Sequence, residues 1–158
     1  MKVYCPALLS GKHFPNKFAH GTVQGGQNIS PPILWGEVPP DTRSFVLSII
    51  DRHPAAQNWI HWYVINIPRH YREMPERAAG DRERFPVAAQ EMRNSFGDLG
   101  YGGPHPARGS GMHPYELIVQ ALSIESLSVG PFSTTQECEE EMRGKVLATG
   151  STTGFLQR

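Results

Sequence analysis

Three short apolar runs, rich in β-branched and aromatic residues, limit most strongly how this chain can fold. They are residues 44–50 (SFVLSII), 60–67 (IHWYVINI) and 115–122 (YELIVQAL). Their length and composition are typical of buried β-strands. We therefore predict a mainly β protein in which these three runs are the central strands.

Side-chain alternation along residues 60–67 predicts which of them share a face of the sheet. Successive side chains of a strand point to opposite faces. The first face is expected to carry His61, Tyr63 and Ile65, and the second to carry Trp62, Val64 and Asn66.

The composition favours a loop-rich β protein. The chain has 158 residues, of which 39% are hydrophobic and 19% charged, and this suits a single domain spanning residues 1–158. Its 16 glycines and 14 prolines favour strands and loops over a helical bundle. A formal net charge of +0 offers no basic surface for nucleic acid and no polybasic membrane patch.

The cysteines and the absence of long apolar runs indicate where the protein works. Cys5 and Cys138 are the only cysteines and lie far apart in the sequence, which argues against a disulfide framework. The segment MKVYCPALLSGKHFP lacks the apolar run of a signal peptide, and no apolar run approaches the ~20 residues of a membrane span. We therefore expect a cytoplasmic protein with no membrane span. A homodimer is compatible with the sequence.

The segments outside the three runs are predicted to be shorter or irregular. Residues 2–9 are expected to form an edge strand, because Pro6 limits their pairing. Residues 69–93 are charged and have no sustained period, which indicates a surface excursion with a helical turn near 76–79. Residues 94–114 are rich in glycine and proline and are predicted to be a loop.

Residues 134–147 form the segment most clearly predicted to be a helix. A threonine at its start can cap it, and acidic residues follow in its first turns, as the helix dipole favours. Cys138, Met142 and Val146 form an apolar stripe at helical spacing, which predicts a contact with the core. The last residues, 154–156, are expected to be a short extended tail.

Histidines are concentrated in two stretches that flank the predicted strands. Residues 51–62 read DRHPAAQNWIHW and residues 100–115 read GYGGPHPARGSGMHPY. A histidine cluster can bind an anion, transfer protons or bind a metal. The spacings match no strong zinc signature, so neither a metal nor a cofactor is expected. The residues in question are His53, His61, His105 and His113.

Each of these polar residues also has a purely structural interpretation. Asp51 ends a strand shortly before Pro54 and can simply form a turn, or its carboxylate can orient a nearby histidine at the mouth of a pocket. A lone histidine inside a strand, such as His61, is more often a hydrogen-bonded core residue than a ligand. His113, taken alone, would be a loop residue. Their common position at strand ends nevertheless favours one shared site.

The glycines of the second stretch allow two interpretations as well. Gly100, Gly102 and Gly103 can bring backbone N–H groups close to a bound anion, or can form a tight structural turn. The sequence contains no GxGxxG fingerprint, Walker loop, GxSxG elbow or catalytic-cysteine pattern.

Several linked motifs give the chain a resemblance to a known family. They are GGQNISPPILW (residues 25–35), SFVLSIID (44–51), WIHWYVINIP (59–68), NSFGDLGYGGPHP (94–106) and the segment from HPY to QAL (113–122). In this order they resemble the phosphatidylethanolamine-binding protein (PEBP) family. The resemblance is closest to the short bacterial and archaeal branch, which is related to Raf kinase inhibitor protein.

This resemblance implies an antiparallel β-sandwich with a few peripheral helices. It also implies a small pocket for phosphate or a phosphorylated head group, in which imidazoles and backbone groups donate to the anion and an acid orients a histidine. The positions that match the family pocket are Asp51, His61, Pro104, His113 and Tyr115. With their neighbours, the predicted ligand-binding set is Asp51, His53, His61, Gly103, Pro104, His105, His113 and Tyr115.

The chain departs from the family pattern within this pocket. The family usually reads DPDAP where this chain reads DRHPA, so His53 replaces a second acid. The family usually reads GGPCPP where this chain reads GGPHPA, so His105 replaces a cysteine and Ala107 a proline. Pro114 stands where an arginine is common. Replacing an acid by histidine makes the pocket less negative.

Three functions are consistent with these residues. The leading hypothesis is a non-enzymatic protein that binds a small anionic or phosphorylated ligand. The alternative is an enzyme on the same scaffold, in which Asp51, His61 and His113 supply acid and base to a small molecule, since free histidine titrates near ~6.5. His53 and His105 are further catalytic candidates. The third is a module that inhibits a kinase or protease, as some family members do, although the sequence identifies no such partner.

Overall fold

Two antiparallel sheets and one short helix make up the fold. The structure, a computed structural model, describes residues 1–10 and 12–158. The larger sheet has the order β6-β4-β3-β7-β8 and the smaller sheet the order β1-β2-β5. Short 3-10 helices include Asn16–Phe18 and Pro54–Ala56. The strands are β1 (Lys2–Tyr4), β2 (Ile33–Gly36), β3 (Ser44–Asp51), β4 (Trp59–Pro68), β5 (Glu73–Met74), β6 (Gln90–Glu91), β7 (His113–Leu122) and β8 (Val146–Leu156), and the helix is α1 (Thr135–Met142).

The main core lies between the two sheets. Alternate residues of β3 and β7 point into it and are fully buried, as in Leu47 and Val119. The smaller sheet contributes Ile33, Trp35 and Met74 from the opposite side. Complete burial of one such side chain stabilises the fold by about 1.5–3 kcal/mol. The predicted antiparallel sandwich built on three buried strands is therefore confirmed.

The other face of the larger sheet is covered by α1. Cys138 and Met142 of the helix pack on Tyr63 and Ile65 of β4. A capping box starts the helix, because the Thr134 side chain accepts from the N–H of Glu137 and the Glu137 carboxylate accepts from the N–H of Thr134. Among the described residues, no helix is both long and apolar enough to cross a bilayer.

The helix prediction was too long, and a full strand was missed. The helix ends at Met142, because Gly144 adopts a φ of +74° that breaks the helical path. Val146 then begins β8, which pairs with β7 along its whole length and is much more than an extended tail. Two glycines at buried positions of β8 interrupt the apolar pattern by which a strand is predicted from sequence. Gly150 permits the close approach of the Met1 carbonyl group, and Gly154 permits that of the Phe14 ring.

Other boundaries also differ from the predictions. The N-terminal edge strand is Lys2–Tyr4 and not residues 2–9. β7 begins at His113, two residues before the predicted start, so this histidine belongs to the sheet and not to a loop. Residues 76–79 form turns, and the φ of +67° at Arg77 is incompatible with the predicted helical turn.

Two β-bulges in β4 overturn the predicted alternation of its side chains. Ile49 pairs with Trp62 but Ile50 pairs with Ile60, so His61 is an extra residue on β4. His61 consequently points to the same side as Trp62, against Tyr115, and not to the side of Tyr63.

The second bulge lies towards the other end of β4. Phe45 pairs with Ile67 and Leu47 with Val64, which leaves one extra residue on β4. Asn66 there has a φ of 59°, and its side chain hydrogen-bonds the backbone of Leu127 on the side covered by α1.

Candidate functional site

The candidate site lies at one end of the larger sheet, where β3 ends and β4 and β7 begin. Asp51, the last residue of β3, pairs with Trp59 on β4 and with Tyr115 on β7. Antiparallel pairing thus brings the end of β3 to the beginnings of β4 and β7. A cavity of about 410 Å³ opens here, and we call it the strand-end cavity. Of the predicted site residues, Asp51, His61, His105 and His113 line it.

A hydrogen-bonded chain links Asp51, His113 and Ser110. Asp51 Oδ2 accepts from His113 Nδ1 at 2.6 Å, and the two side chains are only 6% and 5% exposed. His113 Nε2 lies 2.8 Å from Ser110 Oγ. The Ser110 hydroxyl also contacts the carbonyl oxygen of Ala107, which can only accept.

These contacts determine where the protons of His113 are. Ser110 gives its single proton to Ala107, so it can only accept from His113 Nε2. The other ring nitrogen faces the Asp51 carboxylate and donates to it. In this arrangement both nitrogens donate, one to Ser110 and one to Asp51, which is the hydrogen-bonding pattern of an imidazolium beside a buried carboxylate.

His53 covers the imidazolium of His113. The two rings are stacked, with centroids 3.9 Å apart and planes inclined by 12°. The Nδ1 of His53 accepts from the N–H of Ala55 at 3.2 Å, so this nitrogen carries no proton in that contact. The N–H of His53 donates to the remaining oxygen of Asp51 at 2.9 Å. His53 therefore covers His113 without adding negative charge.

His61 has the opposite hydrogen-bonding character. Its Nδ1 lies 2.6 Å from the carbonyl oxygen of Gly102, which can only accept, so Nδ1 carries the proton. Burial lowers the pKa of His61 to about 4, against smaller opposing effects of the Gly102 carbonyl and the Asp51 charge. The ring is consequently neutral near pH 7.

The buried neutral His61 should make the protein less stable in mild acid. Between pH 6.5 and about 4 the unfolded chain binds a proton at this position and the folded chain does not, so stability falls as the pH falls through this window. At about 1.4 kcal/mol per pKa unit, the loss is roughly 3 kcal/mol. Urea unfolding of the wild type and His61→Gln across this range measures it. We expect the wild type to lose about 3 kcal/mol relative to the variant, and a constant difference between the two would contradict the assignment.

The Gly-rich stretch positions His61 and does not offer free donors. The N–H of Gly100 donates to Met92, that of Gly102 to the carbonyl of His61, and that of Gly103 to Asn28 Oδ1 at 2.7 Å. The alternative of a structural turn therefore holds for these glycines. Four residues of the predicted ligand-binding set do not line the strand-end cavity: His53, Gly103, Pro104 and Tyr115.

The Tyr115 ring packs against the rings of both buried histidines, His61 and His113. Its centroid lies 5.3 Å from that of His61 and 6.3 Å from that of His113. Its hydroxyl is buried near Asp51, but no described residue accepts its hydrogen bond in good geometry. Burial, followed by the charge of Asp51, raises the pKa of Tyr115, so the hydroxyl keeps its proton.

Of two further histidines, His105 lines the cavity and His20 packs beside it, with ring centroids 5.5 Å apart. His105 is exposed, with Nε2 3.3 Å from Thr22 Oγ1, and Thr22 Oγ1 lies 2.9 Å from His20 Nδ1. Partial burial, followed by the charge of Arg158 and by His20, lowers the pKa of His105. Within the described chain, no three acidic, cysteine or histidine side chains converge as metal ligands would.

Sequence reasoning missed several residues of the site. Trp59 and Phe96 form an apolar wall with ring centroids 5.2 Å apart, and Phe96 also stacks with His20 at 5.3 Å. His20 lies outside the motifs at the strand ends, and it contacts the cavity walls by stacking on Phe96 while its backbone N–H donates to the carbonyl oxygen of Pro104. No sequence pattern predicted Ser110 either, because its contact with His113 exists only once the loop is folded.

Sequence comparison agrees with this architecture. The family model described as phosphatidylethanolamine-binding protein matches residues 6–157. The UPF0098 protein of Aquifex aeolicus is 36% identical over 160 residues, which cover 100% of this chain and 89% of that protein. The UPF0098 protein YbhB of Escherichia coli is 34% identical over 131 residues, which cover 82% of each chain.

Structure comparison gives the same result. The crystal structure of Escherichia coli YbcL, described as a new member of the mammalian PEBP family, superposes with a TM-score of 0.89 at 29% identity and covers 99% of this chain and 98% of that one. A putative PEBP homologue of Chlamydia trachomatis, CT736, gives 0.82 at 27% identity, with 99% and 97% covered. Motifs, strand order and matched length therefore agree: this chain belongs to the phosphatidylethanolamine-binding protein family.

Proposed function

We propose that this protein binds a small phosphorylated or otherwise anionic ligand in the strand-end cavity and does not transform it. The observation that carries the proposal is the His113 ring in the wall of the cavity, both of whose nitrogens donate, beside an Asp51 carboxylate that is already hydrogen-bonded on both oxygens. An imidazolium donor in a partly desolvated site attracts an oxyanion. The family description, which names a phospholipid, supports a phosphorylated ligand.

The size and walls of the cavity support a ligand with two different ends. A volume of about 410 Å³ falls within the range of small-molecule sites. Trp59 and Phe96 supply an aromatic wall, and Ala55 and Ala56 add further apolar surface. A phosphomonoester with an apolar or aromatic substituent complements both the walls and the imidazoles.

Ser110 supports an oxygen ligand on His113. Its hydroxyl oxygen already accepts from Nε2 at 2.8 Å, and it belongs to a loop with positive φ at Gly109 and Gly111. A ligand oxygen would take over the position that Ser110 Oγ occupies. Binding should therefore move this loop as well as the two imidazoles.

Inorganic phosphate should bind between His61 and His113. A titration to millimolar phosphate should shift the ring ¹⁵N signals of both residues. His61→Ala should weaken phosphate binding about tenfold or more, the equivalent of one lost hydrogen bond in a partly buried site. The matched control is His70→Ala, because His70 is exposed and lies beyond the opposite end of β4. Shifts confined to other residues, with both imidazole signals unchanged, would show that the site is misplaced.

An enzyme on this scaffold is the second candidate. The neutral His61 and the doubly protonated His113 are formally a base and an acid in one cavity. A base with a pKa of about 4 is weak near pH 7, however, and efficient general bases have pKa values near the working pH. The low pKa of His61 therefore favours ligand binding over acid–base catalysis as the function of this cavity.

The enzyme hypothesis can be tested with the family residues restored. The double variant His53→Asp/His105→Cys should keep the fold and phosphate binding. Hydrolysis of phenyl phosphate by the wild type, with a pH–rate profile that changes in this variant, would favour the enzyme. No turnover in either protein, with binding intact, would favour the binding protein.

The free cysteines support the cytoplasm as the working compartment. Cys5 and Cys138 are both buried and unbridged. Unpaired cysteines are typical of proteins from reducing compartments. The cytoplasmic assignment is therefore part of this proposal.

A further inference from the structure

His61 presents a hydrogen-bond acceptor to the strand-end cavity. Its Nδ1 proton is used by the Gly102 carbonyl at 2.6 Å, which leaves the lone pair on Nε2. Nε2 has no hydrogen-bond partner among the described residues, and the ring lines the cavity. The low pKa that burial imposes on His61 keeps this nitrogen unprotonated near neutral pH.

His113 offers a donor to the same cavity when a ligand oxygen displaces Ser110 Oγ. Its Nε2–H points to an oxygen, Ser110 Oγ, and its other N–H is held by Asp51. Both rings pack on Tyr115, so the acceptor and the donor lie on one wall. A ligand that satisfies both must carry an acidic hydrogen for His61 and a bare oxygen for His113.

We infer that the strand-end cavity selects its ligand by protonation state and takes an oxyanion that still carries one acidic hydrogen, the monoanion of a phosphomonoester. This inference rests on the proposed function and narrows its ligand class. A dianion would place an oxygen lone pair against the His61 lone pair. A phosphodiester has no P–OH and would cover His61 Nε2 without giving it a hydrogen bond, a loss that corresponds to about tenfold or more in affinity.

The neighbouring titratable groups are compatible with this selection. His61 is faced by Asp51 from β3, by His113 and Tyr115 from β7, and by His105 across the cavity. Asp51 and His113 are paired with each other, and the Tyr115 hydroxyl keeps its proton. None of the groups on the cavity wall donates to His61 Nε2, so the proton of that contact has to come from the ligand.

Two ligands that differ only at the acidic hydrogen test the inference. Phenyl phosphate has a P–OH below its second pKa, near ~6, whereas methyl phenyl phosphate, a diester like every phospholipid, has a methyl group there. Calorimetry near pH 5, where both are monoanions, should give about tenfold or more tighter binding of phenyl phosphate. Above pH ~6 its affinity should fall about tenfold per pH unit as the dianion takes over. The diester has no group that titrates in this pH range, so its affinity should change with pH only through protein groups, which affect both ligands alike.

The ¹⁵N signal of His61 shows whether the shared proton stays on the ligand or moves to Nε2 in the complex. With phenyl phosphate bound, the ¹⁵N shift of Nε2 should remain that of a neutral, accepting imidazole. In His61→Gln, whose amide can turn an N–H towards the ligand, the preference for phenyl phosphate should shrink to less than about threefold. The wild-type ligand comparison decides the question even if this variant does not fold.

The outcomes separate this inference from the proposed function. Equal binding of the two ligands near pH 5, or a His61 imidazolium in the complex, would overturn the inference and leave phosphate binding intact. Equal binding would also assign the cavity to diesters such as phospholipid head groups. If neither ligand binds at any pH, the proposed function and the inference both fail.

Discussion

Replacing Asp51 by alanine should lower the free energy of unfolding by about 3 kcal/mol. The substitution leaves the buried His113 imidazolium without its counter-charge, and removal of one partner from a buried ion pair costs about 3–5 kcal/mol. It also leaves the N–H of His53 without its acceptor. The lower end of the range applies, because an imidazole can release its proton near neutral pH and so limit the loss.

Urea unfolding at pH 7 measures this effect, and Asp41→Ala is the matched control. Asp41 is exposed and takes part in no ion pair among the described residues, so its loss should change stability by less than about 0.5 kcal/mol. The ring ¹⁵N signals of His113 should change from imidazolium to neutral imidazole in Asp51→Ala. A loss as small as that of the control, with His113 still an imidazolium, would contradict the buried pair.

Gly103→Ala should be about as damaging, for a steric reason. A Cβ atom at this position would lie 2.2 Å from the carbonyl oxygen of Phe18 and 2.6 Å from the backbone nitrogen of His20. These are backbone atoms that cannot turn aside, so the loop has to move. Overpacking of this kind typically costs 1–3 kcal/mol or more, and we expect about 3 kcal/mol. Because the neighbouring Gly102 holds His61, phosphate binding should weaken as well.

Thermal unfolding compares this variant with Gly130→Ala. A Cβ at Gly130 meets nothing within 4 Å, so that substitution should be nearly neutral. A loss of about 3 kcal/mol lowers the melting temperature by roughly 6–12 °C in a chain of this size. Equal melting temperatures for the two variants would show that the loop at Gly103 has more room than the structure describes.

The central strands were predictable because β3 is buried on both faces and β7 on one face, with half-buried residues on the other. Residues 44–50 and 115–122 carry apolar side chains at nearly every position that faces a core, and length then favours strand over helix. The helix start was equally readable, because the capping residues Thr134 and Glu137 act locally. β8 has neither a continuous apolar pattern nor a local capping motif, since its inner positions include glycines that pack against Met1 and Phe14.

Part of the candidate site was predictable from the sequence, but its chemistry was not. Strand ends and family motifs pointed to Asp51, His61 and His113, which the structure brings to one cavity. The bulge that turns His61 towards this cavity depends on the register with β3, and no local pattern records it. The opposite proton positions of the two histidines depend on the Gly102 carbonyl and on Ser110, which are contacts made only in the folded chain.

The crystal structure of the protein with phenyl phosphate is the most direct test of ligand binding in the strand-end cavity. We predict that the phosphorus atom lies inside the cavity, with one oxygen within about 2.6–3.2 Å of His61 Nε2 and another at the same distance from His113 Nε2. The phenyl ring should lie against Trp59 and Phe96. Phenyl phosphate bound elsewhere at saturating concentration, with only water between the two histidines, would contradict the proposal.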